Sequence, residues 1–459
     1  MKQTLKTALL IGLLVAMAPE ALSAAFTLPS KEFVKKQVEM AGYNYDVLVV
    51  PRMRFPKTKL RIYTFFPVGL IEGAWKAMCR EYQKLQPNVE IQFVMGPANY
   101  EEKLYTMIVA GVQPEIVMSE VGHVPYFLGN GLVLPLNSFI KADKWQKVVD
   151  DSFPIIIDRF TDEGKLYGMP TDTDPRGCIY YNKGLLNAAG LSVPSDAWTL
   201  DDMLLYARKL TQPDKKQWGF FTGDWKSIVY TNGGRLVDNY KKPTKYIFDS
   251  TKARAGFEWY KDLWVKHKVT PEPSKAGDPV GNFTNGKLAM FSSGIWESEF
   301  IAKKKGLEWD IARHPQLSAG SPAYVDNGGT CLSIIKGTKN QAVSWDLIKF
   351  LTGPVGQVYT AVSTGAQPAI ERMFWTEVWA KNDTMPPANR QMMAELNRHV
   401  IYAPDTPVWP DIRTVMDTGL SKVWASRQSV DQFVSSALPQ CQRLMDEAAA
   451  RRRKARGQK

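Results

Sequence analysis

Between residues 58 and 120 the apolar positions switch from strand to helix period and back twice. LRIYTFF (60–66) has the β-branched and aromatic content of a buried strand, and it runs into a helical stripe of Ile71, Trp75, Met78, Tyr82 and Leu85. Pro87 and Asn88 stop that helix, and VEIQFVM (89–95) reads as a second strand. A further helix follows, with Leu104, Met107 and Ile108 inward and Gly111 at its C-terminal end, and EIVMS (115–119) is strand-like again. Strand, helix, strand, helix, strand predicts a parallel α/β sheet. The same texture resumes at Trp198, where Thr199 suits an N-cap with Asp201 and Asp202 in the first turn. Helices are expected at 251–267 and at 340–352, the latter with Ala342, Trp345, Ile348 and Leu351 on one face. The last hundred residues favour helix, interrupted by APDTPVWPDI (403–412), whereas residues 26–57 show no clear period and read as an extension of unknown purpose.

A chain of 459 residues is more than one core usually holds, so two domains are the default. Lys2, Lys6, an apolar run from Ala8 to Ala18 and then Ser23, Ala24 and Ala25 have the layout of a secretory signal peptide over residues 1–25. The run is half the roughly 20 residues needed to span hydrocarbon, so cleavage is favoured over anchoring and the mature protein is expected in the periplasm or exported. Cys79, Cys178, Cys331 and Cys441 are too dispersed for a metal knuckle; buried thiols are the simplest reading, with all three full pairings open. The formal charge of +12 overstates the folded body, because residues 449–459 carry six basic side chains after Arg451 begins the run. That segment reads as a disordered basic tail suited to solvent or a lipid surface rather than to nucleic acid.

Three local patterns imitate known chemistry. GNFTNGKL (281–288) has phosphate-loop spacing, but Leu288 stands where magnesium needs a hydroxyl. DTDPRGCIYYNK (172–183) starts like a calcium loop, yet Arg176 and Lys183 occupy ligand positions. His123, His267, His314 and His399 form no HExxH pair, and no GxSxG elbow occurs. Nothing signals a nucleophile, a metal or a cofactor.

GKLYGMP (164–170), then CIYYNKGLLNAAGL (178–191) with Pro194, Ala197, Trp198 and Thr199, resembles the central signature of the family 1 extracellular solute-binding proteins, the ligand-capturing components of ABC importers. PEIVMSE (114–120), GNGLVLPL (129–136), FTNGKLAMFSSGIWE (283–297), CLSIIKGTKNQAVSWDLIKFLTGPVGQ (331–357) and STGAQPA (363–369) follow the family order. The extension, the DPR insertion at 174–176 and the prolines of 403–412 depart from it. The resemblance implies a two-lobed α/β binding-protein fold with a ligand cleft: residues 58–170 plus 331–368 in the first lobe, and 176–322 plus 373–448 in the second. Crossings are expected at 171–176, near 322–330 with the NGG of 327–329, and near Gln367 to Arg372. A monomer working with ABC permease subunits is implied, without cofactor, metal or nucleic acid.

Such a cleft closes only if the ligand binds the closed state better. For a sugar, aromatic rings would cover the C–H face while carboxylates, amides and arginine meet the hydroxyls. Trp75, Trp259, Trp264 and Trp345 sit at helical spacing and read as core. Trp225, Trp296 and Trp409 do not, and the resemblance places a sugar-stacking aromatic at Trp296. Further ligand-binding candidates are Phe66 and Glu120 at strand ends, Asp172, Asp174 and Arg176 in the first crossing, Glu297, Asn327 and Gly328, and Gln367. The rival reading is an exported carbohydrate-active enzyme with a carboxylate pair drawn from Asp172, Asp174, Asp224 or Glu297. Non-sugar solutes, namely a polyol, glycerol phosphate or a polyamine, also remain open.

Overall fold

A computed structural model describes residues 28–65, 70–382 and 387–455. The signal segment 1–25 and Phe66 therefore lie outside the described residues. The strands that organise the fold are, in chain order, β1 (Thr58–Thr64), β2 (Val89–Met95), β3 (Ile116–Glu120), β4 (Met169–Pro170), β5 (Asp174–Pro175) and β6 (Cys178–Asn182). They continue with β7 (Trp218–Thr222), β8 (Leu288–Ser293), β9 (Trp309–Ala312), β10 (Val325–Gly328), β11 (Thr330–Ile334) and β12 (Val400–Ile401).

The first lobe is a five-stranded sheet in the order β2-β1-β3-β11-β4. Its β1 pairs parallel with both β2 and β3, as the alternating periods require, while the returning β11 pairs antiparallel with β3. Trp75, Met78 and Tyr82, on one face of the helix Leu70–Leu85, are buried against this sheet. Gly111 takes φ +69° just past the helix Tyr100–Val109, the left-handed stop that an unbranched residue permits. The second lobe is a four-stranded sheet in the order β9-β6-β8-β7. Thr199 caps the helix Leu200–Leu210 in a full capping box with Asp202, as its spacing predicts. In the helix Gln341–Thr352 the inward face is Val343, Trp345, Ile348 and Leu351; Ala342 is exposed, one step off the predicted stripe.

Between the lobes a third, three-stranded sheet, β12-β10-β5, is built from the crossing segments themselves. Asn327 and Gly328 pair antiparallel with Pro175 and Asp174, and β12 joins parallel through Val325–Val400 and Asp326–Ile401. Gly329 has φ +109° and lies against Asp172 and Thr173, so a side chain there would be strained and crowded. Residues 367–372 remain with the first lobe: Phe153 N–H donates to Ala369 C=O and Glu371 N–H to Asp151 C=O. The chain meets the second lobe further on, where Asn389 N–H donates to Asp310.

The stretch before β1 is part of the first lobe's body. Ser30 caps the helix Lys31–Met40, which inserts Val34 and Val38 into the core beside the helix Pro354–Thr364. Tyr43 donates to Asp151 at 2.7 Å, and Lys36 pairs with Glu377 at 2.8 Å. At the other end the helix Val430–Ala455 runs through the start of the basic segment, so 449–455 are helical. All four cysteines are free and buried. Among the described residues no helix is long and apolar enough to cross a membrane. GNFTNGKL runs from a helix (Pro279–Thr284) into β8, the reverse of the strand-to-helix order that cradles phosphate.

Candidate functional site

The carboxyl ends of β1, β3 and β8 point at the three-stranded crossing, and a cavity of about 220 Å³ lies there. The first lobe contributes Phe65 just beyond β1, Trp75, Glu120 at the end of β3, and Thr360, Thr364 and Ala366. The crossings contribute Thr171, Asp172, Asp174, Arg176 and Gly328 to Thr330, and the second lobe contributes Trp296. The Trp296 ring lies over Gly294, where any Cβ would overlap it. Its indole N–H donates to Glu297 at 3.0 Å, and Glu297 also accepts from Ser293 at 3.2 Å. Burial raises the Glu297 carboxyl above its ordinary range, which these two donors partly offset.

The crossing segments hold the charges. One Asp172 oxygen, Oδ1, accepts from Thr330 N–H at 2.5 Å, from the Thr330 hydroxyl at 2.7 Å and from Thr171 at 3.1 Å. Asp174 Oδ1 accepts from Ile295 N–H at 3.2 Å, tying the first crossing to the Trp296 loop. Burial lifts both carboxyls above the ordinary range, Asp174 most. The Arg176 guanidinium lies 3.8 Å from Glu120, 4.0 Å from Asp326 and 5.7 Å from the Trp296 ring centre. Burial pulls its pKa down, and Asp326 and Glu120 more than reverse this. Lys226 pairs with Asp326 from the second lobe, and Asp224 caps the helix Trp225–Thr231 through Lys226 and Ser227 N–H groups. On the first-lobe side, His123 Nδ1 accepts from Glu120 N–H at 3.3 Å, and its ring stacks on Tyr100. Burial lowers the His123 pKa, against the opposing pull of Glu120 and Glu101.

Of the residues singled out in the sequence, Glu120, Asp172, Asp174, Arg176, Trp296 and Gly328 come together around the cavity, and Glu297 stands directly behind Trp296. The others are placed elsewhere. Trp409 is 6% exposed at the start of the helix Trp409–Trp424, inside the second lobe's core. Trp225 packs its ring on Phe257 between two apolar clusters. Asn327 is buried and donates to the Tyr402 hydroxyl at 3.0 Å. Gln367 is fully buried, and its carbonyl receives Thr173 N–H. Trp75 is core as its spacing says, at 2% exposure, yet it also lines the cavity. Phe65, Thr171 and Thr330 carried no signal beyond their position near strand ends, Thr364 none beyond its place in STGAQPA, and Thr360 none at all. Among the described residues no group of three histidine, cysteine, aspartate or glutamate side chains is set to hold a metal ion.

The sequence profile of the bacterial extracellular solute-binding proteins matches residues 77–387. A maltotriose-binding protein of Pyrococcus abyssi is 21% identical over 359 residues, 75% of this chain and 73% of that one. An sn-glycerol-3-phosphate-binding periplasmic protein of Pectobacterium atrosepticum is 24% identical over 369 residues, 74% and 81% of the two chains. Among solved structures, an ABC transporter solute-binding protein from Thermotoga lettingae bound with α-D-tagatose superposes with a TM-score of 0.73 at 22% identity, covering 84% of this chain and 100% of that one.

Proposed function

The chain belongs to the bacterial extracellular solute-binding proteins, and from that premise we propose that it captures a mono- or oligosaccharide between its lobes and passes it unaltered to the permease of an ABC importer. The observation that carries this reading is the pairing of Trp296 on one lobe with Phe65 and Trp75 on the other, across a floor of carboxylates and threonine hydroxyls. Aromatic faces cover the C–H side of a pyranose, and carboxylates accept its hydroxyl protons. Two similar proteins, one named for maltotriose and one bound with tagatose, point the same way. The protein works outside the cytoplasm, as a monomer, after loss of its first 25 residues. Catalysis is the less favoured reading because two of the candidate carboxylates already have structural work: Asp224 caps a helix and Glu297 holds the Trp296 indole.

Titration of a sugar panel followed by calorimetry tests this. Saturable binding at roughly micromolar affinity, about 8 kcal/mol, is expected, with compaction in small-angle scattering and recovery of the sugar intact. A panel without a single binder would remove the carbohydrate reading, and release of a cleaved product would replace it with the enzyme reading.

A further inference from the structure

The cleft is acidic in a chain whose formal charge is +12. Its lining carries three carboxyl groups, Glu120, Asp172 and Asp174, and one cation, Arg176. That cation is already countered, by Glu120 at 3.8 Å and Asp326 at 4.0 Å, and Lys226 is spent on Asp326. Asp172 and Asp174 have no ion pair of their own, although Arg176 attracts Asp174 from beyond contact distance. Among the described residues no basic side chain comes within ion-pair distance of either. The internal segments 66–69 and 383–386, outside the described residues, contain no lysine, arginine or histidine.

Each of these two aspartates spends one oxygen on the fold and keeps another. Oδ1 of Asp172 serves Thr330 and Thr171, and Oδ1 of Asp174 serves Ile295 N–H. Their Oδ2 atoms have no protein donor among the described residues, although Asp174 is only 5% exposed and both residues line the cavity. A carboxylate buried to that degree needs a partner charge or donor. Phe65, Trp75 and Trp296 supply ring faces whose quadrupole attracts cations, and the Arg176 guanidinium already lies against one of them.

We propose that the solute carries a protonated amino group, as an amino sugar does, seated against Asp172 and Asp174, and that the cleft rejects phosphorylated solutes. This rests on the cleft being the carbohydrate site and narrows it. Burial holds both aspartyl carboxyls above their ordinary range, and an ammonium group placed between them favours the ionised form. A phosphate would meet the same carboxylates as like charges, three in the lining against one cation, Arg176, whose Nε has no acceptor among the described residues.

Calorimetry on the exported, processed protein at about pH 6.5, where a typical amine is mostly protonated, separates the outcomes. The probes are three pairs, glucose with glucosamine, galactose with galactosamine and mannose with mannosamine, together with spermidine and sn-glycerol 3-phosphate. The expected result is an amino sugar binding at least about tenfold tighter than its neutral parent, with no measurable glycerol phosphate binding. Asp174→Asn, which keeps the acceptor for Ile295 N–H, should bring the ratio of amino-sugar to neutral-sugar affinity close to one, whatever it does to the neutral sugar itself, and Asp172→Asn should do the same if the first variant unfolds. Neutral sugars binding as well as their amino partners would overturn the inference and leave the carbohydrate reading standing. Spermidine binding without any sugar keeps the amine and removes the sugar. Tighter binding of glycerol phosphate than of any sugar overturns both.

Discussion

Replacing Trp296 with alanine separates a ligand-stacking ring from a packing one. The ring lines the cavity with one face, while Arg176 lies 5.7 Å from its centre and Glu297 accepts its N–H. It is partly exposed and sits outside the apolar clusters of both lobes. A tryptophan side chain buries roughly 200 Å², so one face covered by ligand removes about 100 Å² from water. At about 25 cal/mol per Å² this is ~2.5 kcal/mol, or about a 70-fold rise in Kd for Trp296→Ala. The melting temperature without ligand should fall by less than about 2 °C, since little core is lost. Titration calorimetry and thermal scans on the same preparation read both numbers. Gly294→Ala is the companion variant: its methyl group displaces the ring without deleting it, so it should lose a comparable part of the affinity. An unchanged Kd in Trp296→Ala, or a drop of about 8 °C in melting temperature, would refute the assignment.

Three further outcomes follow from the buried groups. The Asp174 carboxyl is raised well above 3.8, so its burial favours the folded chain at low pH, and that contribution is lost as pH rises through the raised value; Asp174→Asn should therefore be at least as stable as the parent at pH 7, and lower stability would contradict the sign. His314 is buried with neither ring nitrogen partnered among the described residues, and burial lowers its pKa to about 3, so stability present above 6.5 is lost as pH falls between the two values. About 1.4 kcal/mol per pH unit should go in the parent and not in His314→Leu, measured by denaturant titration at pH 6.5 and 5. Val34→Ala combined with Val38→Ala should cost about 3 kcal/mol, because both side chains are fully buried; an unchanged melting temperature would show the leading segment to be dispensable.

The sheet of the first lobe was readable because β1, β2 and β3 are regular, and each is followed by a helix or turn with strong period and stop signals. Trp296 was singled out because the resemblance places an aromatic there, and its ring does line the cavity. Trp409 was not: flanking prolines give it the texture of a loop, whereas Pro410 occupies the first turn of a helix, where it is tolerated, and the ring belongs to the apolar cluster that also holds Val430 and Phe433 of the last helix. Asp224-Trp225 looked like a polar loop because the cap and the packed aromatic are adjacent in sequence. Residues 31–40 lacked a visible period because the buried face has only Val34, Gln37 and Val38, too few to stand out in a basic helix. The lining threonines carried no pattern at all, since convergence of chain ends is a property of topology.

The ladder that joins Asn327 and Gly328 to Pro175 and Asp174 has a consequence for how affinity is partitioned. If the proposed capture turns the lobes about this ladder, Asp172, Asp174, Arg176 and Thr330 stand on the pivot, where distances to a docked guest would vary least. Phe65 and Trp296 stand on the lobes that such a motion would bring together. A pivot contact strengthens the loose and the shut arrangement alike and sets how tightly the guest is held, whereas the two ring residues set how far the equilibrium tips. On that reading recognition rests on the crossing and closure on the rings, with the Asp174 bond to Ile295 N–H as the link between them.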